Sequence, residues 1–210
     1  MIGGLLSLLF FLFLFNKTFA LSWESAFKTQ SAAKNVHFIA KYTDRDGKIH
    51  QLEYWRVSDK KLKRSTDGKV EIYAFKTKEG DYQYLILDKQ RSTLLKISRT
   101  NLYRLGVFYD WYSLAHILKR PISYRIEKLD KKPYSLGNYS CKWYLVSEPS
   151  QTYSVCWSEK LAIPLLIQDD KNKTVWEVQK VSTEHIGDNI FSIHKKDLVE
   201  LDVDEELYPE

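Results

Sequence analysis

Apolar and polar residues alternate through most of this chain, and the alternating runs are joined by turns too short to hold a crossover. Val36, Phe38, Ala40 and Tyr42 stand at every second position, Asp46-Gly47 turns the chain, and Ile49 to Val57 follows. Period two is the spacing of a strand. The pattern continues over Lys60 to Ser65, Lys69 to Lys76, Tyr82 to Asp88 and Ser92 to Ile97, with Asp67-Gly68 and Glu79-Gly80-Asp81 between runs. Parallel neighbours need connections of about a dozen residues or more, so the series predicts an antiparallel meander. Further strands are expected over Ser123 to Leu129, Ser140 to Val146, Thr152 to Trp157, Ala162 to Gln168, Thr174 to Val181 and Asn189 to His194.

Two stretches depart from the alternation. Ser22 can cap a helix running to about Lys34, because Trp23, Ala26 and Phe27 recur at helical spacing. Over Asn101 to Lys119 the residues Leu102, Leu105, Phe108, Tyr109, Tyr112, Ala115 and Leu118 do the same, and Pro121 ends the run. The strands themselves carry apolar residues on both sides, as in Tyr82, Tyr84 and Ile86 against Leu85 and Leu87. One flat face cannot bury them all. A strongly curved sheet filled by the central helix accounts for this, as does a two-layer sandwich.

Cys141 and Cys156 are the only cysteines. They flank Glu148-Pro149-Ser150, which has turn chemistry. A two-residue loop at Glu148-Pro149 would place the two cysteines directly opposite each other on one face of a hairpin. In an oxidising compartment such a pair is expected to be bridged; a buried free pair and a metal site are the alternatives, and the second lacks a neighbouring His pair.

The compartment is read from the N-terminus. Leu5 to Phe15 is apolar apart from Ser7 and is followed by Asn16 and Lys17. A membrane span needs about 20 apolar residues and a signal-peptide core only about 7 to 15. Thr18-Phe19-Ala20 offers small residues for cleavage after Ala20, which gives residues 1–20 as a signal peptide and 21–196 as one domain. The weakly basic start leaves a retained anchor as the second reading. From Asp197 the chain lacks Lys and Arg, and residues 197–210 are expected to form an acidic, loosely ordered tail. A formal net charge of +5, with acids and bases intermixed, is a solubility feature and argues against a nucleic-acid partner.

Nucleophile-elbow, zinc-protease, phosphate-loop and dinucleotide signatures are missing, so no catalytic residue and no cofactor is expected. His37, His50, His116, His185 and His194 show no metal-ligand spacing. Asp44-Arg45-Asp46-Gly47 has the start of a calcium loop, but Trp55 stands where a bidentate Glu is needed, so it reads as a turn. Lys60-Lys61-Leu62-Lys63-Arg64 is either a contact for phosphates and anionic membranes or a charged edge strand, and the edge strand is the simpler reading. The aromatic face of the central stretch, Leu105, Phe108, Trp111 and Tyr112, is either plain core or the lining of an acyl pocket.

The order of elements (leader, short helix, meander, central aromatic helix, then strands ending in Trp176 and Phe191) resembles the LolA-like half-barrel superfamily of periplasmic lipoprotein carriers and RseB-type regulators. Lys63-Arg64-Ser65-Thr66-Asp67-Gly68, Arg99-Thr100-Asn101-Leu102-Tyr103-Arg104-Leu105-Gly106 and Cys156-Trp157-Ser158 with Ile163-Pro164-Leu165 look like a branch of bacterial exported proteins of this type. The resemblance implies a mainly β (α+β) half-barrel whose curved antiparallel sheet has its concave face covered by the central helix. It implies a non-enzymatic periplasmic monomer holding lipid or lipoprotein acyl chains, or alternatively a module that binds an envelope protein.

Overall fold

The computed structural model describes residues 20–104 and 110–203. The leader, Leu105, Phe108 and the last seven residues therefore lie outside the described residues. In chain order the elements are α1 (Trp23–Ala26), β1 (Asn35–Thr43), β2 (Ile49–Val57), β3 (Lys61–Thr66), β4 (Val70–Lys76), β5 (Tyr82–Asp88) and β6 (Thr93–Ser98). Next come α2 (Arg99–Arg104), α3 (Trp111–His116), β7 (Arg125–Lys128), β8 (Ser135–Leu136), β9 (Tyr139–Ser140) and β10 (Lys142–Ser147). β11 (Thr152–Ser158), β12 (Ile163–Gln168), β13 (Thr174–Ser182) and β14 (Val199–Asp202) complete the series. The alternation is thus realised as strands, with β5 beginning and ending at the residues expected.

Twelve strands form one sheet in the order β14-β6-β5-β4-β3-β2-β1-β13-β12-β11-β10-β7, and β8 and β9 form a separate small hairpin. The first meander, β1 to β6, meets the second along the antiparallel pair β1 and β13. The sheet is curved and does not close into a barrel, which is the mainly β half-barrel expected. Register shifts at Ile39/Ala40, Cys156/Trp157 and Ile167/Gln168 add residues on one side of a pair and so bend the strands.

Successive strand residues point to opposite faces, and both faces are used. On the inner face Phe38, Tyr54, Leu62, Ala74, Tyr84 and Ile97 pack with Leu102 of α2 and with Leu114 and Ala115 of α3. On the outer face of the first meander Tyr73, Leu87 and Leu94 form a smaller core with Ile193 and Leu198, residues of the segment after β13. α1 covers a third cluster, in which Trp23 and Phe27 pack with Ile126, Tyr144, Val155 and Trp157. Adjacent residues Trp143 and Tyr144 fall in different clusters, which explains why no single face could be read as the buried one.

Several expectations are corrected. Ser22 caps α1, its Oγ accepting from the Ser25 N–H at 3.1 Å, but the helix lasts one turn and does not reach Lys34. Trp157 draws the chain away by donating its indole N–H to the Lys28 carbonyl at 3.1 Å. The continuous helix over Asn101 to Lys119 is replaced by α2 and α3, because extended Asp110 caps α3 by accepting from the Ser113 N–H at 2.6 Å. Asn189 to His194 does not form a strand; Asp188–Phe191 is a 3-10 turn lying near β3, where Lys61 pairs with Asp188 at 2.5 Å and stacks over Phe191. Within the expected loose tail, residues 199–202 are ordered. Val199–Asp202 joins β6 in parallel, with Lys96 paired to Asp202, so the sheet is not wholly antiparallel.

The cysteines form a disulfide with Cα atoms 5.2 Å apart. Their expected register is wrong by two positions. The loop runs from Glu148 to Gln151, Cys156 faces Trp143, and Cys141 has left the ladder just before β10. The bridge is diagonal, reached because the chain bends at Cys141, whose N–H bonds the Tyr134 carbonyl at 3.1 Å.

Candidate functional site

Tyr54 and Arg56 fix α3 to the sheet. Both point inward from β2 and both donate to the Ala115 carbonyl, at 3.0 and 2.6 Å, near the end of α3. Arg56 also donates from Nη2 to the Leu161 carbonyl at 2.8 Å. Arg56 is 2% exposed and its three polar contacts are with neutral groups, the third being His116 Nδ1 at 3.1 Å. A cation at the carbonyl end of a helix is favourably placed, so Arg56 is a clamp. His116 Nδ1 lies 2.8 Å from the Ala162 carbonyl, which fits an Nδ1–H donor. Burial, and then the Arg56 charge, push its pKa down to about 4.

Trp111 and Tyr112, the described members of the expected aromatic lining, do different things. The Trp111 ring stacks on Tyr82 with centroids 4.3 Å apart. Tyr112 accepts from the Trp23 indole at 3.1 Å and donates to the Phe27 carbonyl at 3.4 Å, and burial raises its phenol to about 12. A cleft of about 420 Å3 lies on one side of Tyr112, with Trp23, Phe27 and Gln30 in its walls and Glu24 and Arg120 among its lining. A second, also about 420 Å3, has Trp111, Ala115, Arg56 and Lys34 in its walls. Tyr112 contributes to both, whereas Trp111 contributes only to the second. Trp111 and Tyr112 thus hold α3 in place beside two half-polar clefts.

A different apolar surface lies further along the inner face. Register carries Tyr54 to Arg64, Arg64 to Ile72, Ile72 to Ile86, Ile86 to Leu95 and Leu95 to Leu201, one residue from each of six neighbouring strands. The row beside it, Leu62, Ala74, Tyr84 and Ile97, is fully buried under the helices. By contrast Arg64, Ile72, Ile86, Leu95 and Leu201 are only partly buried, and the four apolar ones belong to none of the three cores. Two polar atoms of this face are buried without a hydrogen-bond partner, the Arg64 Nε and the Tyr84 hydroxyl.

The basic run Lys60 to Arg64 does not lie on an edge, as its simpler reading required: β3 sits between β2 and β4. Alternation sends its charges to both sides. Lys63 faces outward, over the Trp55 and Tyr73 rings and 3.2 Å from Glu71, while Arg64 faces inward. Arg64 and the apolar row went unnoticed in sequence because each strand shows just one of these residues. The signal available was the parity of Leu62, Arg64 and Thr66. His50 also has a role that spacing did not reveal: it bridges Asp44 at 2.9 Å and Asp67 at 2.7 Å, joining two turns. Asp44 otherwise organises its own turn by accepting from the Asp46 and Lys48 N–H groups, as expected of a turn residue. No group of three or more metal-ligating side chains occurs among the described residues.

No protein-family model matches this sequence, and no curated protein matches it. Among solved structures, the crystal structure of MucB aligns with 82% of this chain and 62% of its own, at 13% identity and a TM-score of 0.44. PNGF-II aligns with 83% of this chain and 33% of its own, at 12% identity and a TM-score of 0.47. A chain from the Pseudomonas aeruginosa MucA/MucB complex aligns with 76% and 56%, at 11% identity and 0.42. The chain therefore spans less than two thirds of the length of each, and none of the TM-scores reaches 0.5.

Proposed function

We propose that this is an exported, non-enzymatic binding protein that holds a lipid or acyl chain on the inner face of its open sheet. The observation that carries the proposal is the row Ile72, Ile86, Leu95 and Leu201, apolar, partly exposed and outside every core. Burying hydrocarbon on such a row is favourable by about 0.8 kcal/mol per methylene. Export is supported by the bridging of the only two cysteines and by the apolar leader sequence. Leu105 and Phe108, expected from their spacing to belong to an acyl-binding lining, lie outside the described residues, and Trp111 and Tyr112 line the clefts beside α3. The test is native mass spectrometry of gently purified protein together with titration by a fluorescent fatty acid. Co-purified lipid, and binding that Ile86→Asp removes while the fold is kept, are the expected results. Ligand-free protein that ignores the fatty acid would end this reading.

The second reading is an envelope protein-interaction module. It is favoured by β14, an outermost strand of the sheet whose Val199 is 57% exposed, since an unpaired edge accepts a partner's strand. A photo-crosslinker at Val199 should then capture one dominant envelope protein, and a ladder of unrelated products would count against it.

A further inference from the structure

We infer that Arg64 is the anchor for an oxyanion, a carboxylate or phosphate, carried at the end of the chain that the apolar row takes up. The inference rests on the acyl-binding reading above and names the class of ligand: an anionic amphiphile.

Arg56 and Arg64, both on the inner face, differ in one respect that decides their roles. Arg56 is spent on structure, with its guanidinium taken up by two carbonyls and placed beside His116. Arg64 makes no hydrogen bond and no ion pair among the described residues, and its Nε is buried with no acceptor at all. A guanidinium presents five N–H donors, and its charge is costly to withdraw from water unless an acceptor meets it. Buried polar atoms without partners are rare enough in folded proteins that each calls for a missing partner such as water, an ion or a ligand.

The setting fixes what that partner is. Across the strands on either side Arg64 faces Tyr54 and Ile72, so the cation stands at one end of the row whose other members are Ile72, Ile86, Leu95 and Leu201. The nearest acidic strand residue on the next row of this face, Asp88, engages Arg91 at 3.7 Å. On the outer face Glu71 is held by Lys63 and Lys89, so it cannot serve Arg64 through the sheet. A cation at the head of an apolar track is complementary to a molecule with an anion at the head of a hydrocarbon chain. Planar oxyanions also match the guanidinium fork, which accounts for arginine here where a lysine would supply charge alone.

The experiment compares parinaric acid with its methyl ester, and adds inorganic phosphate as a free anion, on the whole protein and on Arg64→Met and Ile86→Asp. The acid should bind about tenfold more tightly than the ester, the increment of one charge-assisted contact. Arg64→Met should reduce the acid to the ester's affinity without lowering the melting temperature, and Ile86→Asp should weaken both probes together. Equal affinity of the unaltered protein for acid and ester, or an acid preference surviving in Arg64→Met, would overturn the anchor and leave acyl binding standing. Failure of both chains to bind would overturn acyl binding as well. Phosphate binding that depends on Arg64, with neither chain bound, would assign the site to a free anion and overturn the amphiphile.

Discussion

Charged side chains in this protein separate into those the fold consumes and those it leaves available. Arg56 belongs to the first kind: losing it would take the side-chain donor from the Leu161 carbonyl and leave the Ala115 carbonyl to Tyr54 alone. Arg56→Met is therefore expected to cost about 2–4 kcal/mol in urea denaturation, whereas Arg64→Met should be near neutral. His116 has its pKa depressed in the folded protein, to about 4, from an ordinary value of 6.5. The unfolded chain then binds the extra proton first. Stability is intact above pH 6.5 and falls as pH drops from 6.5 towards 4, by up to about 3 kcal/mol. Denaturation at several pH values should show this slope in the native protein and a shallower one in His116→Gln. His50 behaves oppositely, because Asp67 and then Asp44 raise its pKa. Its contribution is present below the ordinary histidine value and disappears as pH rises through the folded one. An NMR titration of His50 should move to a lower midpoint in Asp67→Asn.

At the level of elements, the connections decide where helices stop. Asp110 is extended and caps α3, so Asp110→Ala should cost about 1 kcal/mol and loosen the stack of Trp111 on Tyr82, read as a change in tryptophan fluorescence. The α3 helix ends at Ile117, whose φ of 66° is strained for a β-branched residue and which immediately follows the clamped stretch ending at His116. The disulfide closes a sequence separation of 15 and should contribute roughly 3 kcal/mol, measured as the stability lost on reduction or in the paired Cys141→Ala and Cys156→Ala variant.

For the whole molecule, the segment after β13 works as a strap. It leaves the middle of the sheet, lays Lys61-bound Asp188 and Phe191 near β3, puts Ile193 and Leu198 on the outer core, and ends as β14 on β6. Truncation before Asp197 would strip Leu198 from that core and bare the β6 edge. The expected outcome is a lower melting temperature and concentration-dependent association in light scattering, since an exposed edge templates strand pairing. A monomeric truncation of unchanged stability would mean that the strap carries no such load.

Local patterns wrote much of this fold into the chain. Alternation with Asp-Gly and Glu-Gly turns determined the strands and their antiparallel succession, the Ser22 cap started α1, and two cysteines astride a turn determined their bridge. Each depends on residues close together in sequence, where steric and hydrogen-bonding preferences act directly. Other features depend on partners far apart. The end of α1 was decided by Trp157, the break before α3 was sealed at its far end by Arg56, and the terminal strand needed the edge of β6. The row from Arg64 to Leu201 exists only after six strands are laid side by side, because register, which no single strand encodes, brings its members onto one face.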